Sequence, residues 1–316
     1  MANPSPIRSI DVAYADDEGH LNIALAIGKM SYNGDSLIPA GTNIGPDLLE
    51  SMKAGLKMVA AAKVETLSAK MSGAFPGAYG NTETLDIAAD TNALDLQVLI
   101  QEGRLGYVIS TGASDFSATV PDLPFPIQYS ANSSNFTLDM PTLAAADPQP
   151  FKLAYGFDGL ELSDSIWGMF DPSGAFPRDP AKINLDLSGL ARLDVDLLDE
   201  EAMANLVEAP GALNELAIND IEISAVGANI QANGNLTMPE GNVDEPVGKI
   251  NARLTGVNEL VDRLIAAGFM PEDQAMGIRM MLALFTTADP SDATVLTSEI
   301  DFREGGQIFA NGQQVK

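Results

Sequence analysis

Three carboxylates, Asp164, Asp171 and Asp179, fall close together around Trp167 and Arg178. Paired carboxyl groups can supply the acid and base of a glycosidase, so these three are the best catalytic candidates in the chain. The competing reading is structural, with the acids capping turns and Arg178 pairing with Asp179 among the prolines of the same stretch. A second acidic set is Asp194 and Asp196, which share one face of a strand pattern, with Asp186 nearby. Hard cations such as calcium want clusters of oxygen ligands. No stretch has the spacing of an EF-hand or of the Gly-Gly-x-Gly-x-Asp repeat, which favours a solvated acidic face instead.

The other routes to catalysis are poorly supplied. His20 is the only histidine and stands beside Asp16, Asp17, Glu18 and Gly19, where a turn is expected. One histidine and no cysteine cannot build a histidine-based zinc site or a thiol nucleophile. Neither a Gly-x-Ser-x-Gly elbow nor a Ser-x-x-Lys element is present, and no glycine-rich phosphate loop occurs. Gly73, Gly77 and Gly80 are spaced through a proline-containing turn, where backbone geometry is their natural role. The expectation is a non-enzymatic protein without a cofactor or a resident metal.

Apolar side chains offer a different site. Met270, Met276, Met280 and Met281, with Phe269, Leu282 and Phe285, give one helical segment more apolar surface than a single buried stripe needs. Methionine adapts to irregular apolar ligands, so this segment reads as a lid over a hydrophobic groove, against ordinary packing on a sheet. Trp167, Phe170, Met276, Met280, Met281 and Phe285 are the groove candidates.

Composition narrows the partners. The 316 residues carry 44 acidic and 17 basic side chains, a formal net charge of −27, which repels phosphate backbones and argues against nucleic acid. An apolar fraction of 46% excludes general disorder. The length exceeds one ordinary compact core, so either two packed units or one elongated sheet is expected. No apolar run is long enough for a spanning helix. Residues 1–14 show no basic region followed by an apolar stretch, so export would require a signal outside this sequence; strand-like residues from Ile7 point to a start inside a larger precursor.

Hydrophobic period supplies the elements. Leu21, Ile23, Leu25 and Ile27 alternate as a strand with one buried face, and after Gly28 the apolar set shifts phase to Met30 and Tyr32. Phe151, Leu153, Tyr155 and Phe157 repeat the pattern, with the shift after Gly159, which reads as an internal duplication or as two similar bends. From Ile183 to Leu197 every odd position is apolar or small, giving either a hairpin through Ser188-Gly189-Leu190 or one strand about 50 Å long. Further strands are expected over 64–75, 82–89, 94–100, 105–111, 116–120, 127–138, 216–223, 229–238, 247–254, 296–302 and 307–315. Helices are signalled over 46–62, opened by Pro46, Asp47 and Glu50; from Asp199 to about Val207; and as a hairpin over 258–285, capped by Asn258, broken at Gly268 and restarted at Pro271. The fold class is therefore α+β, mostly antiparallel β: an elongated, curved, multi-stranded sheet with a few inserted helices and a C-terminal helical hairpin. It divides as 1–120 and 121–316, or runs as one continuous sheet.

The segments Asp122–Ile127, Ile166–Pro172, Pro177–Pro180, Pro271–Met276 and Ala310–Gln313 resemble an uncharacterised family of exported alphaproteobacterial proteins, the domain of unknown function numbered 2125. The resemblance runs from about residue 120 to the end and brings no catalytic or binding residue with it. It implies a signal-bearing precursor and a periplasmic location. The strand, glycine bend and strand pattern is also similar to β-rich envelope proteins that shield lipid in a groove, a likeness of architecture only. The expected role is binding of lipid, or of an envelope protein, on an apolar sheet face; the alternatives are a hydrolase using Asp164, Asp171 or Asp179, and a structural interaction module.

Overall fold

The computed structural model describes residues 8–16, 19–41, 48–77, 80–101, 103–121 and 123–316. All strands among them join in one 18-stranded sheet. The chain opens with β1 (Arg8–Asp16), β2 (Gly19–Ile27), β3 (Met30–Leu37), the short helix α1 (Leu48–Lys53), and the long strands β4 (Lys57–Pro76) and β5 (Thr82–Gln101). β1 pairs with β2, while β2 and β3 lie end to end along β4. The next strands are β6 (Arg104–Thr111), β7 (Ser114–Thr119), β8 (Ile127–Ala131), β9 (Ser133–Pro141) and β10 (Gln149–Leu162). β6 and β7 share the far side of β5, then β9 and β8 pair with them and carry the sheet on to β10.

After helix α2 (Asp164–Phe170) come β11 (Ala181–Leu193), α3 (Glu200–Ala204), β12 (Gly211–Ala225), β13 (Ala228–Thr237) and β14 (Val247–Thr255), each strand pairing with the one before it. Helices α4 (Val257–Ala266) and α5 (Glu272–Phe285) then form the hairpin, and β15 (Thr287–Asp289), β16 (Asp292–Arg303), β17 (Gln307–Ala310) and β18 (Gln313–Gln314) close the far edge around β16, which pairs with β14. Every pairing is antiparallel, so the α+β, mostly antiparallel expectation holds. The sheet passes residue 120 without a break, since β7 meets β8 there.

The accessible surface is 18669 Å², against about 12,600 Å² for a compact chain of 33.2 kDa. A single-layer sheet explains the excess, because a layer with nothing stacked on it cannot hide its faces. The largest contiguous core is small, with Met52, Leu56 and Ile100 at its centre.

A seam crosses the first half of the sheet. Gly28, Glu65, Asn92, Gly112 and Asn132 lie along it, joined by the hydrogen bonds Gly28 N–H to Thr66 O (2.8 Å), Asn92 N–H to Ala113 O (2.9 Å) and Asn132 N–H to Asp158 O (2.9 Å). On β4 the apolar set moves there from Val64 to Leu67, and on β5 from Ile87 to Leu94. Ala93 and Gly159 take left-handed backbone on the same line, at φ 54° and 65°. A Cβ at Gly159 would lie 2.1 Å from the Asn132 side chain, and one at Gly28 would lie 2.3 Å from Thr66 Oγ1. The matching patterns around Gly28, between β2 and β3, and Gly159, within β10, thus both lie on this seam.

Several expectations need correction. Of the helix expected over 46–62, the described residues hold Leu48–Lys53, and it ends there instead of at 62; Gly55, at φ 95°, turns the chain into β4, and pairing with β5 outweighs the helical preference of Ala60, Ala61 and Ala62. The hairpin through Ser188-Gly189-Leu190 does not form, because β11 runs unbroken between β10 and β12. That strand ends at Leu193 rather than Leu197, where Leu197 N–H turns aside to Thr142 O (2.8 Å). Its odd positions are mostly half-buried rather than buried, as a single layer dictates. Asp199 caps α3 through Ala202 N–H, but the helix stops at Ala204 instead of Val207. The cap of α4 is Gly256, not Asn258, which lies inside the first turn. His20 sits in β2, not in a turn. Expectations resting on Ile7, Asp17, Glu18, Pro46, Asp47 and Asp122 lie outside the described residues.

Candidate functional site

Residues directly opposite one another in an antiparallel ladder project to the same side of the sheet, so the register allows one face to be followed from strand to strand. Tyr32 of β3 lies opposite Ala62 of β4, which lies opposite Leu96 of β5. The line continues through Ile109 of β6, Phe136 of β9, Tyr155 of β10, Leu185 of β11 and Ile221 of β12. It ends through Ala232 of β13, Ala252 of β14 and Ser298 of β16. One row away run Val98, Tyr107, Leu138, Leu153, Leu187 and Ile218. Register shifts in β12 absorb extra residues near Asn214 and Asn219, keeping Leu216, Ile218, Ile221 and Ile223 on this side.

The apolar face is thus on the order of 50 Å wide at about 4.8 Å per strand. The opposite face holds the charges. Lys63 pairs with Asp95 (3.3 Å), Lys152 with Asp186 (3.3 Å) and Lys249 with Glu299 (2.9 Å) across it. Much of the apolar face is open: Tyr32 is 61% exposed, Tyr155 42% and Ile223 44%.

Helices cover its two ends. α1 sets Met52 and the following Leu56 against Met58, Val98, Ile100 and Leu105. At the other end α5 lies over Ala252, Leu254, Ser298 and Ile300, leaving a cavity of about 730 Å³ whose helical wall includes Ile278, Met281, Leu282 and Phe285. That volume falls within the range of ordinary small-molecule sites. The two hydroxyls of the cavity are both occupied by helix carbonyls: Thr286 Oγ1 donates to Leu282 O at 2.7 Å and Ser298 Oγ to Phe285 O at 2.6 Å. Asn311, in left-handed backbone at φ 49°, donates through Nδ2 to the same carbonyl (3.0 Å) and accepts Glu299 N–H at Oδ1 (2.9 Å). The terminal Asn-Gly segment therefore pins the end of α5.

Of the groove candidates, Met281 and Phe285 line this cavity. Met276 and Met280 do not; they are 66% and 67% exposed on the rest of α5, whose apolar residues go round the helix rather than along one stripe. Trp167 and Phe170 form a separate corner on α2. Trp167 is buried, its ring 4.8 Å from Phe170, with the Arg178 guanidinium 5.6 Å from the indole centroid. The two aromatics belong to a packing site, not to the groove.

The acidic candidates have structural employment. Asp171 is fully buried, which by itself would raise its carboxyl. The N–H groups of Phe176 (3.0 Å) and Ala175 (2.8 Å), the Ser173 hydroxyl (3.2 Å) and the nearby Arg178 charge together outweigh burial and hold it below the usual carboxylate range. Asp164 is exposed and pairs with Arg178 (2.8 Å), displacing the Arg178–Asp179 pair expected from sequence. Asp196 accepts Ala144 N–H (2.8 Å) and the Lys53 ammonium (2.9 Å), Asp194 binds Arg192 and Asp186 takes Asn219. Asp194 and Asp196 follow the end of β11 rather than sharing a strand face. Among the described residues no group of three or more His, Cys, Asp or Glu side chains is arranged to hold a metal.

The family model described as an uncharacterised protein conserved in bacteria, DUF2125, matches residues 66–310. The chain belongs to the DUF2125 family. The match reaches further toward the N-terminus than the motifs after residue 120, and takes in β5 to β17, hence most of the apolar face and the helical hairpin. No curated protein matches the chain. No helix among the described residues is long and apolar enough to cross a membrane.

Proposed function

We propose that the protein is a non-enzymatic component of the bacterial cell envelope that holds lipid acyl chains along the apolar face of its sheet. The observation that carries this reading is the run of apolar side chains from Tyr32 of β3 to Ala252 of β14, left largely open in the middle and roofed at one end by a methionine-bearing helix. Isolated exposed apolar residues need no explanation, but a contiguous face of this extent marks a binding surface. An acyl chain suits it because hydrocarbon asks for no hydrogen bonds, and the face offers almost none. Of the acidic candidates, Asp186 lies on the opposite face, Asp164 is exposed on α2 and Asp171 is enclosed by backbone N–H groups, so no converging carboxylates favour hydrolysis. Periplasmic residence fits a cysteine-free, acidic chain.

Native mass spectrometry of the protein purified from its own bacterium tests the reading. Adducts in the mass range of fatty acids or phospholipids, released on activation, are expected. Protein that is bare under conditions where a known lipid carrier keeps its cargo would refute it.

A further inference from the structure

We propose that β1 is a self-association edge, through which two copies of the chain join their sheets across a two-fold axis. The two ends of the sheet are treated differently. The far edge is broken into β15, β17 and β18, of three, four and two residues, short pieces of the kind that keep a sheet from adding strands. β1 is nine residues long and exposed at every position, and among the described residues it pairs only with β2.

Its sequence fits itself in one antiparallel register. Centred on Val12, Ile10 faces Tyr14 of the second copy, Asp11 faces Ala13, Ser9 faces Ala15 and Arg8 faces Asp16, so all nine residues are used and no like charges meet. Centring on Asp11 would set that carboxylate against its own copy. Centring on Ala13 would put Ile10 opposite Asp16. A shift of one residue would place the apolar set opposite the polar one. Ile10, Val12 and Tyr14, exposed by 57%, 54% and 61%, lie on the side of Leu25, Ile23 and Leu21 of β2, so the dimer would also join the apolar faces of the two sheets. The net charge of −27 per chain opposes association, but it is spread over a wide sheet and screened beyond about 8–10 Å.

The inference does not depend on what the groove binds. Sedimentation equilibrium of the full chain tests it, with two variants at the exposed Ala13. Wild type should approach twice the 33.2 kDa chain mass as concentration rises. Ala13→Asp, which sets a second carboxylate opposite Asp11 twice per dimer, should weaken association at least about tenfold. Ala13→Lys should tighten it. A wild type that stays monomeric at all concentrations, or a dimer indifferent to both substitutions, as one formed through the exposed face of α5 would be, overturns the proposal.

Discussion

Leu185 and Asp186 are adjacent in β11 and meet opposite surroundings. Leu185 lies between Tyr155 and Ile221 on the apolar face, whereas Asp186 takes Asn219 and Lys152 on the other. An aspartate at 185 would be partly desolvated among apolar neighbours without a cation, and because the face is open the cost should be moderate. Leu185→Asp is expected to lower stability by about 1–2 kcal/mol in urea unfolding and to remove bound lipid. Asp186→Ala should cost under about 1 kcal/mol and leave lipid in place. Equal losses from both would show that the faces are misassigned. The alternation of Ile183, Leu185 and Leu187 was legible in the sequence, and it correctly separated apolar from charged positions. Depth of burial was not, because periodicity records which side a residue faces and not whether a second layer covers that side. The acids were misleading for a similar reason: Asp164 and Asp171 are close along the chain, yet one faces solvent and the other is enclosed by backbone N–H groups.

The helical hairpin is the element whose boundaries could be read well. Proline at 271, acids in the first turn and glycine at 268 mark its joint without reference to tertiary contacts. α1 could not be read so, since the alanines after Gly55 favour helix locally and only the β4–β5 ladder overrides them. The bulges of β12 were equally hidden, because an extra residue in one strand becomes visible only against its partner. Within the hairpin, α5 is fixed at its end by Ser298 and Asn311 on the Phe285 carbonyl. Its start depends on the Gly268–Pro271 joint, and its middle is tied to α4 by the exposed ion pair of Arg279 with Asp262. Hydrogen exchange should therefore slow over α5 up to Leu282 when a fatty acid is added, with little change at Thr286. Protection already maximal without the fatty acid, and unchanged by it, would make α5 ordinary core and not a lid.

At the scale of the whole molecule, the excess accessible surface and the amphipathic sheet have one explanation. The chain spends its apolar residues on a face it does not itself cover. Two-layer packing would have buried them, and a single layer with an apolar face open to water is under pressure to find apolar material. The width of the face, on the order of 50 Å at about 4.8 Å per strand, exceeds what the cavity beneath α5 needs, so acyl chains are expected to lie along the sheet and not only under α5. A fatty acid carrying a photoreactive diazirine, cross-linked to the protein and located by peptide sequencing, measures this directly. Labels are predicted on the apolar face across β9 to β14, at residues such as Leu138, Leu153, Leu185 and Ile221, together with Met281 and Phe285 of α5. Labels confined to the exposed Met276 and Met280, labels on the charged face, or no specific labelling would contradict the account.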